Sequence, residues 1–141
     1  MAITPKKNQY ALRAIFELAK HQGKGPKKIS EIAQAQAIPL RFLEVILSQL
    51  KSSGWVESKR GFYGGYYLKI SPKDITVGDI LRFMHASPRS SVDCVACISK
   101  SDCPFDGKCA FASMWNQVNQ AMFDIYDETS IQDLINKELK S

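Results

Sequence analysis

Three observations predict a mainly α-helical fold that carries one small β-hairpin and a long helix near the C-terminus. Apolar residues recur at steps of three and four over 8–21, 39–52 and 109–127. Arg60-Gly-Phe-Tyr-Gly-Gly65 separates two β-rich runs, 55–59 and 66–70, so the chain reverses there. All four cysteines, Cys94, Cys97, Cys103 and Cys109, fall in one loop-like stretch rich in Gly, Pro, Ser, Asp and Lys. With 141 residues, 45% of them hydrophobic, the chain can bury a core without disulfide staples.

Leu12, Ile15, Phe16 and Ala19 form the apolar face of the first helix, with Arg13, Glu17 and Lys20 expected outward. Gly23-Lys-Gly-Pro26 ends it. Ser30 is positioned to cap a short second helix over 31–36 that buries Ile32 and Ala33. The third helix, 39–52, starts with Pro39 in its first turn, buries Leu43, Ile46, Leu47 and Leu50, and stops at Gly54. After the hairpin, Thr76-Val-Gly-Asp79 is a capping box that opens a helix to Met84, bearing Ile80, Leu81, Phe83 and Met84. His85 reads as a helix-end residue rather than a ligand. Beyond the cysteines, Phe111, Met114, Val118, Ala121 and Ile125 form a stripe that Trp115 and Met122 widen. Ser130-Ile-Gln-Asp133 caps a final short helix with Ile131, Leu134 and Ile135.

A short helix, a tight turn and a longer helix followed directly by a basic hairpin make a winged helix-turn-helix. The expected organisation is a DNA-binding unit over 1–86, a cysteine-rich loop over 87–109, and a dimerisation helix with its short successor over 110–141. Charge is divided the same way. Residues 1–90 carry fifteen Lys+Arg against six Asp+Glu, and residues 91–141 carry four against eight. The basic part is the one suited to a polyanion. On the outward face of the third helix, Arg41 can pair with guanine and Glu44 can accept from cytosine, with Ser48 beside them and Lys51 at the edge. The plainer role for Glu44 is an ion pair with Arg41. Lys59 and Arg60 are placed for the adjacent minor groove or its phosphates. Tyr63 and Tyr66 read as packing residues of the hairpin. Two recognition helices in a symmetric dimer would meet a palindromic site in double-stranded DNA, as a repressor or activator does.

No secretory signal and no apolar run of membrane-spanning length is visible, so the expected compartment is the cytoplasm, where thiols stay reduced. Two, five and five residues separate the successive cysteines. Zinc accepts four thiolates, but structural zinc sites usually pair two short knuckles, and only the first gap here is short. The wider gaps suit an iron–sulfur cluster. A Cys94/Cys97 redox pair is the thiol-switch alternative. A cysteine nucleophile is the weakest option, because neither His21 nor His85 has an evident catalytic partner, and no enzyme activity is expected.

These residues resemble the Rrf/IscR-type iron–sulfur-cluster transcriptional regulators, a family that includes NsrR, RirA and CymR. The resemblance covers nearly the whole chain. It rests on Tyr10-Ala-Leu-Arg13, Ile29-Ser-Glu-Ile-Ala33, Leu40-Arg-Phe-Leu-Glu44, the wing Arg60-Gly-Phe-Tyr-Gly-Gly-Tyr66, and Cys97, Cys103 and Cys109. It implies a homodimer joined through the helix after Cys109, three cysteine ligands to a 2Fe-2S or 4Fe-4S cluster, base reading by Arg41 and Glu44, and a minor-groove Arg60. Cluster state would set DNA affinity in response to redox conditions, nitric oxide, iron or sulfur status. The positions from which other members supply a histidine or an acidic fourth ligand hold Ala112 and Gln9 here. Cys94 is then the candidate fourth ligand; the alternative leaves that iron open to a small molecule. The runner-up keeps the fold and replaces the cluster by zinc, a thiol switch or a protein partner.

Overall fold

The structure is a computed structural model that describes residues 6–85 and 109–140. Among these, helices α1 (Lys6–Lys20), α2 (Ile29–Gln36) and α3 (Leu40–Lys51) precede strands β1 (Val56–Lys59) and β2 (Gly65–Leu68). Helices α4 (Val77–His85), α5 (Ala112–Glu128) and α6 (Ile131–Lys140) follow. This is the expected mainly helical winged helix-turn-helix with a long helix near the C-terminus. The strands pair antiparallel in the register Val56↔Leu68 to Lys59↔Gly65.

The core is one cluster. It takes Ala11, Ala14, Ile15 and Leu18 from α1, Ile32 from α2, and Leu43, Ile46, Leu47 and Leu50 from α3. Val56 and Leu68 come from the hairpin, Ile80 and Leu81 from α4, and Ile131 from α6. The stripe expected on α3 is thus the buried one. On α1 the buried face is rotated: Ala11, Ala14, Ile15 and Leu18 are inside, Leu12 and Phe16 only partly so, and Glu17, expected outward, is 4% exposed.

Ser30 is not a cap. α2 begins two residues earlier, at Ile29, with Lys28 at the N-cap in extended conformation and no side-chain bond. The reason is tertiary: Lys27 exchanges two backbone hydrogen bonds with Tyr66 of the hairpin, both 2.8 Å, so the chain passes straight from a strand-like bridge into the helix. Pro39 stands at the N-cap of α3 rather than inside its first turn. Ala37 makes the tight turn at φ 53°, and its N–H closes onto the Ala33 carbonyl.

Both capping boxes form. Thr76 and Asp79 exchange bonds of 3.0 and 3.1 Å, and Ser130 and Asp133 exchange two of 3.0 Å. The two helix starts also pair with each other. Val77 N–H donates to the Thr129 carbonyl at 2.9 Å and Ile131 N–H to the Ile75 carbonyl at 3.0 Å. The C-terminal end of α5 is therefore stitched to the entrance of α4. Arg82 adds a two-pronged ion pair to Asp127, its guanidinium lying over the Phe123 ring.

Candidate nucleic-acid interface and cysteine segment

The leucine stripe that seats α3 in the core forces the opposite face outward, because the two lie half a helical turn apart. Arg41, Glu44, Val45 and Ser48 are all exposed there, as is Phe42, whose ring is tilted 31° to that of Tyr10 with centroids 6.5 Å apart. Among the described residues no ion pair joins Arg41 to Glu44, so the plainer role for Glu44 is not realised. Lys51, at the end of α3, donates from Nζ to the Ser58 hydroxyl of β1 at 2.8 Å. That bond ties helix to wing.

Lys59 and Arg60 are exposed where the hairpin turns. The turn closes through a Gly64 N–H to Gly61 carbonyl bond of 2.9 Å. Gly61 adopts φ +111°, and a Cβ at Gly64 would collide with the Lys59 carbonyl oxygen, so these two glycines define the tip. Of the two tyrosines read as packing residues, Tyr66 does pack against the core, whereas Tyr63 is 85% exposed beside an exposed Phe62.

Sequence reasoning missed the polar centre of this unit, Glu17. Its carboxylate takes Lys27 and Lys20 Nζ at 2.8 Å each and the Gln36 amide at 2.7 Å. Burial raises its pKa, but the hydrogen bonds from Lys20, Lys27 and Gln36 and the charge of Lys27 outweigh this and bring it down to about 2. Lys20 is shifted upward: its own burial opposes the shift, and Glu17 and Glu138 overcome it. One buried carboxylate so joins α1, the end of α2 and the strand-like bridge under the wing, and through Lys20 reaches α6. A glutamate at a polar helix position looks solvent-facing in sequence; only the approach of Lys27 from the loop reveals its role.

Of the four cysteines, Cys109 alone lies among the described residues. It is a free thiol of intermediate exposure, and its carbonyl accepts the Ala112 N–H at 3.1 Å as α5 begins. Cys94, Cys97 and Cys103 lie outside the described residues. The donor set suits a cluster chemically, since four thiols are soft ligands, whereas Ala112 has no donor atom and Gln9 no carboxylate. Among the described residues, no helix is long and apolar enough to cross a membrane.

A family model described as Rrf2, iron-dependent transcriptional regulator, matches residues 4–137. The chain belongs to the Rrf2 family. Across 91% of its length it is 35% identical to the HTH-type transcriptional regulator CymR of Bacillus subtilis, covering 86% of that protein. The solved structure of the same CymR, described as the global cysteine regulator, superposes with a TM-score of 0.75 at 33% identity, covering 97% of this chain and 98% of that one. The HTH-type regulator IscR of Pectobacterium carotovorum is 30% identical over 94% of this chain and 78% of its own. The T. potens IscR structure matches at a TM-score of 0.74 and 29% identity, covering 96% and 88%. As a member of the Rrf2 family this chain is a DNA-binding transcriptional regulator and not an enzyme.

Proposed function

We propose that this Rrf2 regulator is a homodimeric repressor whose grip on a palindromic operator is set by an iron–sulfur cluster held by Cys97, Cys103 and Cys109, with Cys94 as the fourth ligand. One observation carries this reading. The helix that begins three residues after Cys109 presents its apolar stripe bare while its far end is bonded to the DNA-reading body.

α3 enters the major groove. There Arg41 pairs with guanine O6 and N7, Glu44 accepts from cytosine N4, Ser48 and Lys51 hold sugar or phosphate, and Phe42 and Val45 are suited to thymine methyl groups. Lys59 and Arg60 take the neighbouring minor groove and backbone. Phe111, Met114, Val118 and Ile125 of α5 close against a second copy, which sets the spacing of the two reading helices to about one turn of DNA.

The cysteine segment joins α4 to α5. A helix of 17 residues is about 26 Å long, so a displacement of Cys109 at one end acts on a pivot fixed at the other by Val77, Ile131 and Arg82. The cluster, when bound, supplies a redox- and nitric-oxide-reactive centre. The chain's own part is to convert order around Cys109 into the angle between arm and body.

Anaerobically purified protein is expected to be brown, with iron and sulfide in matching amounts, and Cys103→Ala to lose that absorbance with the helical signal intact. A colourless protein with stoichiometric zinc, or loaded and empty forms that hold an operator equally well, overturns the proposal. A second reading is favoured by the similarity to a cysteine regulator. The same body and arm would be controlled by a thiol switch, zinc or a protein partner. Reversible disulfide formation in an oxidant titration, without iron, would select it.

A further inference from the structure

The wing of this chain ends in two side chains that its core does not use. Phe62 is 79% exposed and Tyr63 85% exposed. Among the described residues, each is the other's ring partner, edge to face, with centroids 5.0 Å apart. Trp55 with Phe83 and Phe123 with Tyr126 are packed against the core, and the exposed Phe42 leans on Tyr10, itself packed against the core. A loose tip would let such residues fold back onto the surface. This tip is held. Gly61 and Gly64 set its backbone, the Lys27–Tyr66 bridge fastens the hairpin to α2, and Lys28 Nζ stands 5.1 Å from the Phe62 ring centre. Lys28 lies over the Phe62 ring, exposed Lys59 and Arg60 lead into the same turn, and residues 60–65 hold no carboxylate.

A narrow apolar wedge flanked by cations fits a partner that offers phosphates outside and stacked aromatic faces inside. We infer that Phe62 and Tyr63 enter the minor groove beside the major-groove contact of α3 and partly unstack a base step, so that the wing reads deformability as well as charge. Apolar wedges of this kind kink duplexes, most readily at flexible pyrimidine–purine steps. Lys59 and Arg60 then hold the flanking phosphates while the rings insert. Because Lys51 bonds Ser58 across the α3–wing junction, the wedge keeps a fixed distance from the recognition face, and its preferred step lies at a fixed offset from the bases α3 reads. The inference rests on the reading that α3 and the wing face the duplex.

The test uses full-length protein and duplex fragments recovered by selection from genomic DNA, with 2-aminopurine placed at each pyrimidine–purine step in turn. Wild-type protein is expected to raise the fluorescence at one step and to bend the fragment. Phe62→Ala with Tyr63→Ala removes exposed rings only, so the fold is retained. This double variant is expected to bind about tenfold more weakly, to lose the fluorescence rise and the bend, and to keep the same salt dependence. Equal affinity and bend in wild type and double variant overturn the wedge while leaving the interface standing. A wild-type protein that retains no fragment overturns the interface reading with it. A double variant that changes only self-association, or only binding to phosphatidylglycerol vesicles, assigns the tip to another surface and likewise overturns the wedge.

Discussion

The body of this regulator and its α5 arm use the same kind of helix to opposite ends. α3 is a 12-residue amphipathic helix whose Leu43, Ile46, Leu47 and Leu50 are wholly enclosed. α5 has 17 residues and a comparable apolar rhythm, yet none of its residues is buried; Phe111 at its N-cap is 62% exposed and Ile125 65%. Periodicity selects a face, and it does not choose what covers that face. In α3 the cover is the rest of the fold. Among the described residues, the hydrogen bonds at Thr129 and the Arg82–Asp127 pair hold the C-terminal end of α5, and its stripe stays exposed, the surface the proposed second copy would cover.

The contrast can be broken in several places. Leu47→Ala in α3 should cost about 3 kcal/mol of folding stability, because the closed core cannot collapse around the cavity. Denaturant titration reads it directly. The equivalent insult to the arm, Val118→Asp, should leave the folding of the body nearly unchanged but weaken self-association by about 100-fold. Sedimentation equilibrium checks this, and a large loss of folding stability would mean that the arm belongs to the core.

Glu17→Gln should destabilise the body by about 2 kcal/mol, since Lys20 and Lys27 lose their shared carboxylate. The pH dependence has a definite sign. The folded-state pKa of Glu17, about 2, lies below its ordinary 4.5, so the stabilisation is fully present above pH 4.5 and disappears as the pH falls through about 2. Acid titration of wild type and Glu17→Gln should differ in that window and run parallel above it. The smallest effect is expected from Arg60→Ala, about a tenfold loss of operator affinity at fixed salt with stability and dimerisation unchanged.

Most of the body could be read from the chain itself. The α3 stripe, the two capping boxes and the glycine-rich hairpin depend on contacts within a few residues, and each formed as its local chemistry demands. The outward placement of Arg41, Glu44 and Ser48 followed as well, because burying one face of a helix exposes the other. Ser30 and Glu17 show where that logic stops. The start of α2 was moved by the bridge between Lys27 and Tyr66, 39 residues apart in the chain. Glu17 was drawn inside by a lysine ten residues away and an amide 19 away.

The amino-acid order by itself determined which helices are amphipathic, where they begin by capping box, where the hairpin turns, and that four thiols sit together. Only the tertiary structure decided which apolar stripe is closed and which is bare, that a carboxylate is the polar centre of the body, and that the wing tip carries its aromatic rings outward. The reason is one of range: caps, turns and periodicity are settled by neighbours along the chain, whereas burial is settled by whatever distant segment arrives to exclude water.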